Sequence, residues 1–255
     1  MPDVWWEPYA DHLLVRVFRR MISIDGYDRA LALASQSFVA LVPAVLVLSS
    51  TLGDDSAAAL ATGLGFSRSA ARPLEELVDR SSVDHSLSWL GWILLVVSVL
   101  GFVRSLQRAY SAAWDLPPTG LRGYGRGLLA SAALVAELLV LVLLAPLLGW
   151  LLGSPVVAQV VAGVTGLILW WPIQYVLLRG RIGWRALLPG AVLTGVGQAL
   201  LVTASSLVIP IAVARSAERI GLLGVATILL SWLVVLGVLL VLSAVLGAEL
   251  AKKRP

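Results

Sequence analysis

Glu137 is the single ionisable side chain that lies deep inside one of the long apolar segments of this chain. An ionisable group in hydrocarbon usually faces the protein interior, where it often marks a proton or substrate path. A protonated or hydrogen-bonded carboxyl that ties two helices together explains the position equally well. The residue therefore predicts either a gating group or an internal helix contact.

Amides, hydroxyls and glycines recur at helical spacing in the same segments. They indicate either close helix packing, in which small residues let backbones approach, or a polar furrow wide enough for a headgroup. An amide in hydrocarbon needs a hydrogen-bonding partner in both cases. The residues predicted to line the furrow are Gln36, Ser98, Glu137, Gln159, Gln174 and Gln198. The residues predicted to pack helices are Pro43, Gly101, Gly163, Gly166, Gly190, Gly224, Trp232 and Gly247.

Arginines are concentrated at one end of the segments. Arg104 and Arg108 are one helical turn apart and continue a face of serine and glycine. A guanidinium binds phosphate through paired, charge-assisted hydrogen bonds, so these two could hold a phosphate at the mouth of the furrow. For most of the arginines, snorkelling to headgroups and setting of topology is the simpler explanation. The predicted headgroup site consists of Arg104, Arg108, Arg181 and Arg185.

Six apolar segments determine the fold class. Each is long enough to cross about 30 Å of hydrocarbon as a helix of roughly 20 residues. The chain is 59% hydrophobic and only 13% charged, whereas soluble domains carry about 25% charged residues. The sequence predicts an all-α polytopic membrane protein, a six-helix bundle with an N-terminal interfacial helix. The predicted spans are 29–52, 88–112, 127–152, 155–178, 186–213 and 222–248.

Basic residues are unevenly distributed among the segments that connect the predicted spans. The segments on one side, counted with Arg29, Arg104 and Arg108 at the adjoining span ends, hold 14 of the 19 lysines and arginines, and the segments on the other side hold five. Lysine and arginine are enriched on the cytoplasmic side of membrane proteins. The pattern predicts a multi-pass protein of the bacterial inner membrane with both termini in the cytoplasm.

The predicted organisation has three parts, residues 1–28, 29–250 and 251–255. The first is an amphipathic cytoplasmic segment, with a helix at 4–21 that either lies in the headgroup layer or packs on the bundle. Asp25–Asp28 are predicted to break this helix, and Asp28 to cap the first span. The second is the membrane domain, with an acidic, helical extracytoplasmic cap at 53–87. The third is a basic tail.

Signals of catalysis are missing from the sequence. It contains no cysteine, and it carries no Walker loop, HExxH or GxSxG pattern. The two histidines, His12 and His85, fall on opposite sides of the predicted membrane. We therefore expect no catalytic residue, no metal, no cofactor and no nucleic-acid partner. The expected partners are membrane phospholipids, a second copy of the chain or envelope proteins.

A series of short motifs across roughly 29–250 resembles the YihY/BrkB family of bacterial envelope membrane proteins. The motifs are Phe38 to Pro43 in the first span, Ser98 to Trp114, Arg181 to Ala191, and Gly224 to the Gly247-Ala248-Glu249 triplet. The resemblance implies a helical inner-membrane protein linked to envelope integrity, with movement of phospholipid or another lipid as its activity. Some members carry a ribonuclease label, for which this sequence offers no chemical basis.

The resulting hypothesis is that the chain binds an anionic lipid and lets its headgroup pass along the furrow while the tails stay in hydrocarbon. Two alternatives remain open at this point. One is a scaffold that transports nothing and recruits envelope partners through its acidic cap. The other is an exporter of a small solute or ion that uses the same furrow.

Overall fold

The computed structural model describes residues 12–52, 88–117, 132, 155–220 and 222–252. Within these ranges every regular element is helical. The helices are α1 (Leu13–Ser23), α2 (Gly26–Leu52), α3 (Ser88–Ala113), α4 (Pro155–Leu177), α5 (Trp184–Ile220) and α6 (Leu222–Lys252). The predicted span at 127–152, the cap at 53–87 and the first 11 residues lie outside the described residues.

Helices α2 to α6 coincide with five of the six predicted spans. By length and composition, Gly91–Ala113 and Ala226–Lys252 are apolar enough to cross a membrane, and Gly163–Leu177 is a shorter apolar helix. Helix α5 continues past the predicted end at residue 213 to Ile220. The reason is local, because residues 214–220 contain no glycine or proline and include alanine, arginine and glutamate, which favour helix.

The break between α1 and α2 is shorter than predicted. Only Ile24 and Asp25 separate the two helices, and Gly26, Tyr27 and Asp28 are already helical. Asp25 turns the chain with φ of 51°, a left-handed conformation that aspartate tolerates better than most residues. Its carbonyl accepts the Arg29 N–H at 3.1 Å and so starts α2. Asp28 lies in the first turn, where a carboxylate favours the helix dipole.

Helix α6 is central to the described bundle. It packs against α5, α2, α1 and α3, while α4 packs mainly on α5. The start of α2, the ends of α3 and α4, the start of α5 and the end of α6 lie at one end of the bundle, together with α1. This region, which contains Arg16, Arg20, Arg29 and Arg108 among others, is called the basic end below. In its interior Trp170 donates a hydrogen bond to the buried Tyr110 hydroxyl at 3.1 Å.

Glycines lie at the closest approaches between helices. A side chain added at Gly247 of α6 would lie 2.9 Å from the Cα atom of Gly190 in α5. One added at Gly237 of α6 would collide with the carbonyl oxygen of Ala30 in α2. One added at Gly195 of α5 would lie 3.0 Å from the carbonyl oxygen of Gly163 in α4. In each case the neighbouring group is backbone, which cannot move away as a flexible side chain can.

Helix α1 packs onto the basic end through one face and exposes another. Val17 is buried in the main core, and Leu13 and Met21 pack against it. The predicted apolar face of this helix therefore packs on the bundle, which was one of the two interpretations of the sequence. Leu14 and Phe18 lie on a neighbouring face and are 79% and 63% exposed. Helix α1 is thus apolar toward the bundle and also apolar on part of its outer surface.

Ion pairs join α1 to the ends of α3 and α6. Arg16 Nε lies 3.1 Å from Glu249 Oε2, and Arg20 pairs with Asp115. Lys252 Nζ lies 3.2 Å from both Asp115 Oδ2 and Glu249 Oε1, and so closes the chain of charges. These five residues form the ion cluster. Arg16 and Arg20 are one helical turn apart, so a single face of α1 reaches both carboxylates.

The ion cluster lowers the pKa of one of its members. Partial burial raises the pKa of the Asp115 carboxyl, but hydrogen bonds and charge from Arg20 and Lys252 outweigh that effect. The pKa consequently lies below its ordinary value of 3.8. Because the folded protein binds this proton less readily than the unfolded chain, the carboxylate stabilises the fold above the unfolded pKa. That contribution is lost as pH falls through the folded pKa.

Replacing Gly247 with alanine is expected to destabilise the protein by about 1–3 kcal/mol, the usual cost of overpacking a core. That cost exceeds the roughly 1 kcal/mol that alanine gains over glycine as a helix former. Thermal unfolding in detergent, followed by tryptophan fluorescence, measures the effect. The matched control is Gly183→Ala, because an added side chain there has nothing within 4 Å. Equal midpoints for the two variants would contradict this account of the α5–α6 contact.

Replacing Asp115 with asparagine is expected to lower the unfolding free energy near neutral pH by at most about 1 kcal/mol, since exposed pairs are screened. Asparagine tolerates the left-handed backbone at this position, where φ is 54°. The difference from wild type should shrink as pH falls through the lowered pKa of Asp115, because the protonated carboxyl is neutral like the amide. Unfolding midpoints over a series of pH values measure it, with Arg20→Gln as a control that removes the partner. A difference that does not change with pH would refute the assigned role of the carboxylate.

Candidate functional site

A polar cavity of about 350 Å³ opens between α2 and α3 at the basic end. Its size is at the lower end of the range of small-molecule sites, about 300–1,000 Å³. This cavity is called the polar pocket. The residues that line it are Asp25, Asp28, Arg29, Ala32, Ser105 and Arg108.

Two guanidinium groups are held at the wall of the polar pocket. Arg29 Nε donates a hydrogen bond of 2.5 Å to the carbonyl oxygen of Ile24, and its Nη1 donates one of 3.3 Å to the carbonyl oxygen of Arg108. Arg108 Nη2 donates to Ser105 Oγ at 3.2 Å. Arg29 thus links the α1–α2 turn to α3, and both positive charges are positioned by the fold.

Two carboxylates face the same pocket. Asp25 and Asp28 are exposed, and neither forms an ion pair with a lysine or arginine among the residues that the structure describes. The pocket therefore places two positive and two negative side chains around one cavity without joining them to each other. Such a lining can bind an anion, a cation or a ligand that carries both charges.

An apolar groove of about 580 Å³ adjoins the polar pocket. It lies between α1 and the start of α2, and exposed apolar side chains such as Phe18, Ile22 and Tyr27 form much of it. Asp25 and Asp28 line both cavities. The polar pocket and the apolar groove thus place a charged cavity beside an apolar one, a combination that suits an amphipathic ligand.

The predicted furrow residues of α2 and α3 lie on one line that leads away from the polar pocket. Gln36 follows Ala32 by one turn, and its Oε1 lies 2.7 Å from the position that a side chain at Gly101 would occupy. Ser98, which is half-buried, comes one turn beyond Gly101. This contact between the two helices is called the α2–α3 seam. Gln36 and Ser98 lie beyond the pocket, toward the middle of the helices, and neither of them lines the cavity.

The other two predicted furrow glutamines whose side chains are described, Gln174 and Gln198, lie between α4 and α5. Gln174 is 1% exposed. In the amide orientation that suits its neighbours, its oxygen accepts a hydrogen bond from Ala191 N at 3.1 Å and shares the Trp170 Nε1–H, at 3.0 Å, with the Tyr110 hydroxyl. Gln198 Oε1 lies 2.9 Å from the position of a side chain at Gly166. These amides fill space between α4 and α5, so the structure brings Gln36 and Ser98 together in one helix pair and Gln174 and Gln198 in another.

Several predicted residues have other surroundings or lie outside the described part. Pro43 is buried within α2, and Trp232 is half-buried in α6. Gly190 contacts both Gln174 and Gly247. Glu137 lies outside the described residues, as do the side chain of Gln159 in α4 and the surroundings of Gly224 in α6. Their roles stay predictions.

The four arginines of the predicted headgroup site do not share one cavity. Arg108 lines the polar pocket, and Arg104 is exposed one turn before it on α3. Arg181 is exposed in the turn between α4 and α5, and Arg185 is exposed in the first turn of α5. Neither lines the pocket. The pocket is lined instead by Asp25, Asp28 and Arg29, which were interpreted from the sequence as a helix break and a topology signal. The sequence signal that could have indicated a site is the presence of three charged residues within five positions beside the first span.

Comparison with known proteins agrees with the resemblance drawn from the motifs. A family model described as Virulence factor BrkB matches residues 17–255, nearly the whole chain. No curated protein and no solved structure matches the chain. The matched range includes most of α1 and all of α2 to α6, together with every residue that lines the polar pocket. The chain therefore belongs to the BrkB family, the YihY/BrkB membrane proteins of the cell envelope.

Proposed function

We propose that the chain is a multi-pass inner-membrane protein that binds a phospholipid through its anionic phosphate group at the polar pocket and moves the headgroup across the membrane. The observation that carries this proposal is the pair of positioned guanidiniums beside an apolar groove. Charge-assisted hydrogen bonds from arginine suit phosphate, and the groove suits an acyl chain. The family match supports an envelope-related membrane protein, and movement of a lipid is what the resemblance to the YihY/BrkB family implies.

The basic end lies at the cytoplasmic surface in this proposal. Lysine and arginine are enriched on that side, and the start of α2, the end of α3 and the end of α6 all meet there. Arginines at this depth reach the phosphates of the inner leaflet. The exposed face of α1, with Leu14 and Phe18, then lies against lipid at the headgroup boundary. A lipid of the inner leaflet would thus reach the pocket sideways from the bilayer.

The α2–α3 seam is the proposed path of the headgroup. Ser105 lies at its start, the Gln36–Gly101 contact in its middle and Ser98 beyond. Hydroxyl and amide groups can replace part of the water that a headgroup loses in hydrocarbon. Because Gln36 lies directly over Gly101, passage requires this side chain to swing aside. Glu137 is proposed as a protonation group, so that a proton gradient could supply the energy.

A scaffold that transports nothing is the second candidate. It is favoured by the way Gln174 and Gln198 fill the space beside Gly190 and Gly166. Amides that fit so closely against a neighbouring helix stabilise packing and leave no passage between α4 and α5. The scaffold needs no lipid path at all, so a direct measurement of lipid movement separates the two candidates.

Removing the charges of Arg29 and Arg108 together, as glutamines, is expected to slow lipid exchange by at least about tenfold, since losing one charged hydrogen bond costs about 1.5–3 kcal/mol. The assay uses liposomes with a headgroup-labelled phospholipid and records how fast inner-leaflet label reaches an impermeant quencher. The matched control is Arg181→Gln with Arg185→Gln. It removes the same charge from exposed arginines outside the pocket and should leave exchange near wild type.

Two results would count against transport through this pocket. If both double variants slow exchange equally, the arginines act only through overall charge. If wild-type protein is no faster than protein-free liposomes, with and without an imposed proton gradient, the scaffold is the better candidate.

A further inference from the structure

We infer that the polar pocket selects phospholipids whose headgroup carries a primary amine as well as a phosphate, the chemistry of phosphoethanolamine. This inference rests on the proposed function and names the lipid class for the same site. It comes from the carboxylates of Asp25 and Asp28, which a site for a purely anionic headgroup would not need.

The charge pattern of the pocket matches a headgroup with two opposite charges. The Arg29 side chain donates hydrogen bonds to the backbone carbonyls of Ile24 and Arg108. The Arg108 side chain donates one to the Ser105 hydroxyl. Asp25 and Asp28 remain outside any ion pair in the described part of the chain. A ligand that places phosphate at the guanidiniums and ammonium at the carboxylates neutralises both groups at once.

Other headgroups fit this pattern less well. An uncharged glycerol headgroup leaves the two carboxylates facing the phosphate, and like charges brought together select against a ligand. A choline headgroup carries a positive charge but no N–H, whereas a primary ammonium donates three hydrogen bonds that carboxylates can accept. The expected order of binding is therefore ethanolamine first, with choline and glycerol headgroups weaker.

The apolar groove explains why the ligand is a lipid rather than a soluble phosphate ester. Asp25 and Asp28 line the groove as well as the pocket, so the two compartments meet at the carboxylates. The groove opens beside exposed Phe18 and Ile22, where an acyl chain can lie without leaving apolar surroundings. A ligand without acyl chains would leave this apolar surface in water.

The carboxylates can be neutralised with little change in backbone geometry. Asp25 has φ of 51°, and asparagine is the other residue that commonly adopts this conformation. Asp28 is in the first turn of α2, and asparagine is compatible with a helix start there. The variant Asp25→Asn with Asp28→Asn thus removes two charges and keeps both shapes.

Native mass spectrometry of the full chain from nanodiscs tests the inference, with phosphatidylethanolamine, phosphatidylglycerol and phosphatidylcholine in equal amounts. Wild type is expected to retain the ethanolamine lipid over each of the others by about threefold to tenfold, the range that two exposed ion pairs supply. In the Asp25→Asn, Asp28→Asn variant the ratio should fall to that of the bilayer, with the total bound lipid maintained. Free phosphoethanolamine, added in a separate arm, should compete only weakly.

The outcomes separate the inference from the function on which it rests. If wild type retains no lipid of any kind, the proposed function fails. If wild type retains lipid but prefers phosphatidylglycerol or shows no preference, only the inference fails. Full competition by free phosphoethanolamine would indicate a soluble ligand and overturn it as well. Because the wild-type ratios decide the matter alone, the test does not depend on the variant being folded.

Discussion

Close contact between helix backbones, made possible by glycine, is the constraint on which the rest of this structure depends. Each of the four most extensive helix pairings has a glycine at a point where an added side chain would meet the neighbouring helix. In α5–α6, α2–α6 and α4–α5 the group that it would meet is backbone, and in α2–α3 it is the amide of Gln36. In lipid, where apolar surface alone gives helices little reason to associate, such contacts supply the van der Waals packing that holds a bundle together.

The candidate site follows from those contacts. Because Gly237 lets the start of α2 lie against α6, and Gly101 lets α2 lie against α3, Arg29 can bond to the backbone of Arg108. Helix α1 is then held over the same end by its buried Val17 and by the ion cluster. The polar pocket and the apolar groove are the spaces left between these fixed parts. Asp25 lies in the turn between α1 and α2, Asp28 and Arg29 lie in the first turn of α2, and Arg108 lies in α3. The charges of the site are therefore part of the elements that form the bundle.

Hydropathy and charge were enough to predict the five long helices that the structure describes and the common end of their basic segments, because both depend on composition along the chain. The helix ends were less predictable, as the extension of α5 to Ile220 and the short break at Asp25 show. The site was predicted only in part. Arg108 was identified from its place on a polar face, whereas Asp25, Asp28 and Arg29 were not, because neither helix rotation nor the turn of α1 is fixed by a periodic pattern. The prediction of one furrow lined by Gln36, Gln174 and Gln198 failed for the same reason. The structure places Gln36 between α2 and α3, and the other two glutamines between α4 and α5.

The central claim is that a phospholipid headgroup occupies the polar pocket, and site-specific photocrosslinking in native-like bilayers tests it most directly. A photoreactive side chain would replace Ala32, an exposed residue that lines the pocket, and the captured molecule would be identified by mass. The same group at Ile168, which is 60% exposed on the outside of α4, reports ordinary contact with bulk lipid. The account predicts that position 32 captures phospholipid with a headgroup composition different from that of the bilayer, while position 168 reproduces the bilayer. Capture of no phospholipid at position 32, or of the same mixture as at position 168, would contradict it.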